Sequence, residues 1–335
     1  MQQPLVSILI PFKNTFSYLQ DCLDSILKQT YTNWELIIVD DFSTDKSYDL
    51  VADYAVKEKR ITLLKNTNSG IINALRLAFK NSTGQLVTRM DSDDIMHENK
   101  LSVLAGNLIT KGRKHVATGL VSYFSAEGIS DGYKNYEKWL NGLTQKGKNY
   151  SELYKECVIP SPCWMIHRED LIACDAFNAN RYPEDYDLTF RFCEYHYKVI
   201  PCDKILHYWR DYGTRASRTD SNYAENSFLE LKTHYFLKLH YDSKKTLVVW
   251  GAGKKGKTMA KLLIDNKIPF EWICDNPKKI GKHIYNKLLQ PFTYLETIDY
   301  TQSIITVANK KEQQEISSYL KRHNKAPMID YFFFC

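Results

Sequence analysis

A short strand-like segment, Gly84-Gln85-Leu86-Val87-Thr88, runs straight into Arg89-Met90-Asp91-Ser92-Asp93-Asp94, which sets three carboxylates within four positions. Carboxylates this close repel one another, and a bound divalent cation is the usual way of holding them together. The plain alternative is an acidic turn that caps a helix starting near Ile95, because aspartate is a favoured cap. A second acidic turn, Asp40-Asp41-Phe42-Ser43-Thr44-Asp45, follows another apolar run, Trp34 to Val39. Two strands that each deliver carboxylates at their C-terminal ends describe an open α/β sheet with its site along that edge. A metal-dependent nucleotide site is the economical explanation of the pair.

The 335 residues, 44% hydrophobic and 25% charged, suffice for well-buried cores in two domains, or in one large domain with an appendage. No apolar run approaches the roughly 20 residues of a membrane span. Leu5 to Phe12 is too short, and too uncharged at its front, for a signal peptide. The expectation is a cytoplasmic protein, at most peripheral to the inner membrane face. The eight cysteines (Cys22, Cys157, Cys163, Cys174, Cys193, Cys202, Cys274 and Cys335) show neither a Cys-x-x-Cys pair nor a zinc-like spacing, so reduced and mostly buried thiols are expected. From Ser243 onward there are 16 Lys and Arg against 8 Asp and Glu, an excess larger than the +6 of the whole chain. That basic C-terminal quarter reads either as a phosphate-facing surface for nucleic acid or anionic lipid, or as a solvated lysine-rich face.

Periodicity predicts strands at Val6 to Pro11, Glu35 to Val39, Ile61 to Leu64 and Gln85 to Arg89. They alternate with helices at Tyr18 to Gln29, Lys46 to Lys57 and Gly70 to Lys80, the signature of parallel βαβ units. Between about Gly106 and Tyr154 the pattern loosens and is assigned to the surroundings of a substrate cleft. Order returns at Ser161 to Ile166, at a helix opened by Pro183-Glu184-Asp185-Tyr186-Asp187-Leu188, at a strand-like Lys198 to Trp209, and at a polar helix from about Tyr223 to His240. The domain boundary is placed at Asp242-Ser243, dividing the chain into residues 1–242 and 243–335.

The ordered series Val6-Ser7-Ile8-Leu9-Ile10-Pro11, Val39-Asp40-Asp41-x-Ser43-x-Asp45, Asn68-x-Gly70, Asp91-Ser92-Asp93-Asp94 and Pro183-Glu184-Asp185 resembles family 2 glycosyltransferases of GT-A fold over about residues 4 to 220. The resemblance implies a GT-A catalytic domain, a mixed and mostly parallel sheet flanked by helices. It also implies a nucleotide-sugar donor, a UDP-sugar before others, and Mn²⁺ or Mg²⁺. In that reading Asp93 or Asp94 holds the metal as a Lewis acid on the departing diphosphate, with Asp91 near the ribose. Asp41 accepts a hydrogen bond from the base, Pro11 opens the loop over the nucleotide, and Asn68 belongs to the donor site. Asp185 matches the catalytic base: at a helix start its carboxylate is favoured, and it takes the acceptor hydroxyl proton in a single inverting displacement. Asp187 is the neighbouring alternative, and an ordinary acidic helix start is the bland one. Arg215 and Arg218, in Asp211-Tyr212-Gly213-Thr214-Arg215-Ala216-Ser217-Arg218, suit a lid over the diphosphate. The family's Trp-Arg-x-His-Pro pattern is here Trp209-Arg210-Asp211-Tyr212-Gly213, which leaves a third metal ligand without its usual residue; His207 is either that ligand or a core histidine.

Leu247-Val248-Val249-Trp250-Gly251-Ala252-Gly253-Lys254-Lys255-Gly256 gives a Gly-x-Gly-x-x-Gly turn between a strand and a helix (Lys257 to Asn266). A second strand, Glu271 to Cys274, ends in Asp275. The spacing predicts a small Rossmann-like C-terminal domain with Gly251, Gly253, Gly256 and Asp275 as a candidate nucleotide site. About 90 residues leave no room for a full dinucleotide domain with its substrate domain, so NAD is not the expected cofactor. Tyr136-x-x-Trp139-Leu140-Asn141, Pro162-x-Trp164, Pro183-Glu184-Asp185, Trp250-Gly251-Ala252-Gly253-Lys254-x-Gly256 and Cys274-Asp275 are similar to queuosine-tRNA galactosyltransferase-like proteins. The acceptor thus stays open among a glycan, a glycolipid precursor and a modified tRNA nucleoside, and a homodimer is left open. Two other classes compete with transfer. A dinucleotide-dependent oxidoreductase would put its chemistry at Gly251 to Asp275, and a non-catalytic nucleotide-binding protein would need no base.

Overall fold

The computed structural model describes residues 3–219, 223 and 228–335. The chain divides into two compact units, Met1–Tyr150 with Val158–Ala224, and Ser151–Cys157 with Glu225–Cys335. The helix Leu229–Leu239 is thereby grouped with the second unit, ahead of residue 243. Residues 224–227 of the helix expected from Tyr223 lie outside the described residues.

The first unit contains β1 (Val6–Phe12), β2 (Trp34–Asp40), β3 (Ile61–Lys65), β4 (Leu86–Arg89), β5 (Ile95–Met96), β6 (His115–Thr118), β7 (Leu120–Phe124), β8 (Trp164–His167), β9 (Lys198–Ile200) and β10 (Ile205–Arg210). Its main sheet has the order β3-β2-β1-β4-β8-β6-β9. The first four run parallel and β8 runs antiparallel to both its neighbours. β1 is buried at every position, as an almost unbroken apolar strand must be when helices cover both faces of the sheet. Its one hydroxyl is satisfied across the sheet: Ser7 Oγ donates to Glu35 at 2.7 Å and accepts from the Gly84 amide at 2.8 Å. Because β1, β2 and β4 are parallel, Pro11, Asp40-Asp41 and Asp91 to Asp94 all leave the sheet along one edge.

Two sequence expectations are corrected here. The acidic turn does not cap a helix at Ile95: Ile95 and Met96 form β5, which pairs antiparallel with β10, and the helix starts at Lys100. β10 in turn pairs with β7, making a second, three-stranded sheet. The stretch from Gly106 to Tyr154 is not loose. It holds two strands and the helix Asp131–Lys146, whose start is capped by Ser130 Oγ accepting from the Tyr133 amide and whose end is closed by Gly147 in the left-handed region. Both caps were legible in the residue types. The helix escaped notice because its buried face is made of Tyr136, Trp139 and Leu140, packed on Val121 and Trp209, amid many polar positions.

The second unit contains β11 (Thr246–Trp250), β12 (Glu271–Cys274), β13 (His283–Ile284), β14 (Lys287–Pro291), β15 (Thr301–Ile305) and β16 (Tyr331–Phe333) in the order β13-β14-β12-β11-β15-β16. All its pairings are parallel except β13 with β14. The chain moves outward from β11 through β12 to β14, then returns to the other side of β11 at β15. The Gly-rich turn sits at that reversal. Gly251 takes φ +111°, and a Cβ on Gly256 would collide with the Gly251 carbonyl oxygen, so helix Lys254–Asp265 can lie this close to β11 only with glycine there. No helix among the described residues is long and apolar enough to cross a membrane.

Gly256→Ala is therefore expected to destabilise the protein by about 1–3 kcal/mol, the usual cost of overpacking, whereas Gly253→Ala, where a Cβ meets open space, should change stability far less. Denaturant midpoints of the two variants check this ordering.

Candidate active site

The acidic turn after β4 is organised by arginines and by β10. Arg89, the last residue of β4, is nearly fully buried. Its Nη2 lies 3.0 Å from Asp91 Oδ1 and its Nη1 lies 2.8 Å from Glu184 Oε1. Glu184 Oε2 also accepts from the Tyr223 hydroxyl at 2.6 Å. Glu184 is the first residue of the helix Glu184–Glu194, so Arg89 ties the start of that helix, and with it Asp185, to the acidic turn. The peptide bond before Pro183 is cis.

Asp93 and Asp94 have different surroundings. Asp94 is fully buried and spends both oxygens on protein groups: Oδ1 accepts from the Arg210 amide at 2.8 Å, and Oδ2 lies 3.0 Å from His207 Nε2. Asp93 Oδ2 accepts from the Tyr212 hydroxyl at 2.8 Å and lies 3.8 Å from Arg215 Nε, while Arg215 Nη2 stands 3.7 Å from Asp94 Oδ2. Burial, then the neighbouring Asp94, pushes the Asp93 carboxyl up to about 6; burial above all raises Asp94 as well. Arg215 opposes the rise at both, and Lys100 opposes it at Asp94, but burial outweighs them. His207 is buried, and burial with the nearby Lys100 ammonium holds its imidazole neutral. It is a partnered core histidine beneath the turn. Among the described residues no three His, Cys, Asp or Glu side chains converge as a metal cluster.

Asp185 Oδ1 accepts from the Tyr186 amide at 2.8 Å and Oδ2 accepts from Ser161 Oγ at 3.3 Å. Burial first, then Glu184, raises its carboxyl, against Arg89, which lowers it. Asp187 has both oxygens in ion pairs, with Arg181 at 3.0 Å and Arg191 at 2.7 Å. Of these two carboxylates, Asp185 is the one without a cation in direct contact among the bonds above.

On the neighbouring strand end, Asp41 is buried. Both its oxygens take the Gly70 amide, at 2.9 and 3.0 Å, and Oδ1 also takes Asn66 Nδ2 at 2.7 Å. Gly70 has φ +117°, so this grip holds a bend that other residues resist. Pro11 is buried at the end of β1, and Asn68 is exposed in the bend, its amide 3.5 Å from Thr67 Oγ1. Arg218 lies away from the carboxylate turn, with Nη2 on both oxygens of Asp211 at 2.7 and 2.9 Å and Nε on the Tyr133 hydroxyl at 3.2 Å. In the second unit, Asp275 is exposed after β12, and Lys279 Nζ donates to the Ala252 carbonyl of the Gly-rich turn at 2.7 Å.

The structure thus joins Arg89, Asp91, Asp93, Asp94, Asp185 and Arg215 in one neighbourhood. It adds Ser161, Tyr223 and Lys100, to which the sequence reading gave no role, and gives partners to Glu184 and Tyr212, which that reading met only as motif positions. Arg89 alone carried a signal, as a charge at the end of a buried strand.

The profile described as glycosyl transferase family 2 matches residues 7–174. Glycosyltransferase GlyG of Streptococcus pneumoniae serotype 4 is 34% identical over 125 residues, 37% of this chain and 42% of that protein. GlyA of the same organism is 26% identical over 212 residues, 61% of this chain and 30% of that protein, so the chain spans less than half the length of either. The Escherichia coli protein named UDP-Glc:alpha-D-GlcNAc-diphosphoundecaprenol beta-1,3-glucosyltransferase WfgD is 29% identical over 248 residues, 70% of this chain and 85% of that one. Among solved structures, Staphylococcus aureus TarS 1–349 in complex with UDP-GlcNAc superposes with a TM-score of 0.54 at 18% identity, covering 77% of this chain and 71% of that one. That likeness is one of fold, the GT-A arrangement expected from the motifs. With the family profile matched over residues 7–174, half its length, the chain belongs to glycosyl transferase family 2.

Proposed function

We propose that this chain transfers a hexose from a nucleoside-diphosphate sugar, a UDP-sugar, to an acceptor hydroxyl with inversion at the anomeric carbon. The observation that carries the reading is the buried Arg89 bridge, which sets Asp185 next to the acidic turn that would face the diphosphate. Asp185 takes the proton of the attacking hydroxyl. Its raised carboxyl lies closer to the pH of the reaction than an ordinary aspartate does, which suits a general base. The donor set fits a hard divalent cation, Mn²⁺ or Mg²⁺: oxygen ligands only, few of them, on neighbouring carboxylates whose ionised form burial disfavours. Asp93 would hold the metal, with Asp91 beside it, whereas Asp94 is committed to Arg210 and His207 and serves to fix the turn. When bound, the metal supplies Lewis acidity to the departing diphosphate. Arg215 stands ready as a second positive group for the same phosphates, Asp41 and Asn68 belong to the nucleoside end, and Arg218 backs the segment that carries Arg215.

The Escherichia coli relative's name supports a UDP-sugar and a lipid-linked sugar acceptor, and with it work at the inner membrane face. The basic 243–335 region supports a second reading, a modified tRNA nucleoside as acceptor. In either case the catalytic chemistry belongs to residues 1–242, and the Gly251 to Asp275 segment, read as Rossmann-like, serves acceptor binding or assembly. Transfer of radiolabel from UDP-glucose to undecaprenyl-linked sugar or to total tRNA separates the two.

Asp185→Asn is expected to lower kcat by about 10²–10⁴, the usual contribution of a general base, while UDP binding measured calorimetrically with Mn²⁺ stays within a few-fold. Unchanged transfer would sink the base assignment. The acidic turn makes a separate prediction. The raised Asp93 carboxyl stabilises the fold fully below its unfolded value of about 4, and that contribution is lost as pH rises through about 6. In the metal-free protein, melting temperature should fall less between pH 4 and 7 in Asp93→Asn than in the unmodified chain. Added Mn²⁺ should raise it at pH 7 in the unmodified chain only.

A further inference from the structure

Lys100 opens the helix Lys100–Lys111 with its side chain turned entirely inward, at 0% exposure. A buried ammonium is strongly disfavoured unless it is hydrogen-bonded, and an apolar side chain of the same length would be cheaper to bury. Among the described residues Lys100 meets no carboxylate within bonding distance. Its Nζ donates to the Pro162 carbonyl and stands 3.5 Å from His207 Nδ1. With the ammonium facing Nδ1, the proton of the neutral imidazole sits on Nε2 and is donated to Asp94 Oδ2 at 3.0 Å. Asp94 Oδ1 holds the Arg210 amide, and Arg210 Nε holds the Asp93 carbonyl at 2.8 Å. On this side Lys100 fixes the acidic turn through one intervening side chain.

On its other side Lys100 reaches the base. Pro162 is the centre of the 3₁₀ turn Ser161–Cys163, and the preceding residue, Ser161, donates its hydroxyl to Asp185 Oδ2. The same segment is tied at its ends by Thr189 Oγ1 on the Ile159 carbonyl at 3.1 Å and by Thr88 Oγ1 on the Trp164 carbonyl at 2.6 Å. Lys100 ties its middle, next to the residue that orients Asp185.

We propose that Lys100 is a positioning residue for sugar transfer: one buried ammonium holds the Ser161 turn and the Asp94–His207 pair in a fixed mutual setting, and so sets Asp185 against the diphosphate end of the site. The proposal rests on Asp185 acting as the base. An ammonium with directed N–H bonds does what a buried methionine cannot, since it specifies the direction of two separate segments. A misplacement of about 1 Å between reacting groups costs on the order of 10²-fold in rate.

The test uses the full chain with Mn²⁺ and whichever of UDP-glucose, UDP-galactose and UDP-N-acetylglucosamine releases UDP fastest, water serving as acceptor. Lys100→Met is expected to lower kcat for UDP release on the order of 10–10²-fold, with KM for the donor and the calorimetric Kd of UDP changed less than about 3-fold. Ser161→Ala should lower kcat too, and the double variant should be no worse than the more severe single, because both remove one connection. Multiplying losses, or a weakening of UDP binding that tracks the loss in rate, overturn the proposal. If Lys100→Met does not fold, Ser161→Ala decides: unchanged UDP release there overturns it. Asp185→Asn run alongside separates the two failures. Full release in Asp185→Asn removes the base assignment and this proposal together, whereas loss in Asp185→Asn without loss in Lys100→Met or Ser161→Ala removes this proposal alone.

Discussion

The buried pairing of Arg89 with Asp91 and Glu184 is the constraint on which the rest of the site depends. β4 ends inside the protein, and a guanidinium there is tolerated only because two carboxylates and their own donors surround it. Removing the cation would leave the buried Glu184 and the partly buried Asp91 without their guanidinium, at a cost of up to about 3–5 kcal/mol. The bridge also does geometric work. It joins the C-terminal edge of the parallel strands to a helix some ninety positions later in the chain, and so decides which carboxylates share a site.

Around that bridge the acidic residues have separated into different tasks by environment alone. Asp94 is sealed under β10 by a backbone amide and a neutral imidazole. Asp93 accepts from the Tyr212 hydroxyl and stands 3.8 Å from Arg215. Asp187 is tied up by two arginines, and Asp185 is held by a hydroxyl and an amide, with no cation bonded to it among the described residues. The same side chain meets four settings: a buried anchor, a hydroxyl-bonded carboxylate near a guanidinium, a double ion pair, and a carboxylate held by neutral donors. The settings rest on strands: β5, a two-residue strand where a helix was expected, pins the far side of the acidic turn to β10, and the segment with Tyr212 and Arg215 follows directly.

Much of this was legible from the residues. β1 to β4 and the helices between them were found within about two positions, because parallel strands buried on both faces read as apolar runs and the helices keep a 3.6-residue period. Strand Glu271 to Cys274 was placed at its observed bounds. The acidic edge followed from the parallel order. What was misread lay where periodicity is short or diluted: Ile95–Met96 is too brief to show alternation, and the helix Asp131–Lys146 hides its buried face among polar residues. Ser161, Lys100 and Tyr223 could not be found, since each acts through a partner distant in sequence; Tyr212 was visible only as a departure from a pattern.

The sequence by itself determined the family, the α/β class, the edge of the sheet that carries the acidic residues and the close-packed Gly-rich turn of the second unit. Local propensity, apolar period and motif order are properties of neighbouring residues. Only the tertiary structure decided which aspartate is buried, which is paired with a cation and which is held by neutral donors. Those states depend on desolvation, on charges brought together from Arg89, Lys100, Glu184 and Arg215, and on the neutral His207 imidazole, and nothing local in the chain encodes their convergence.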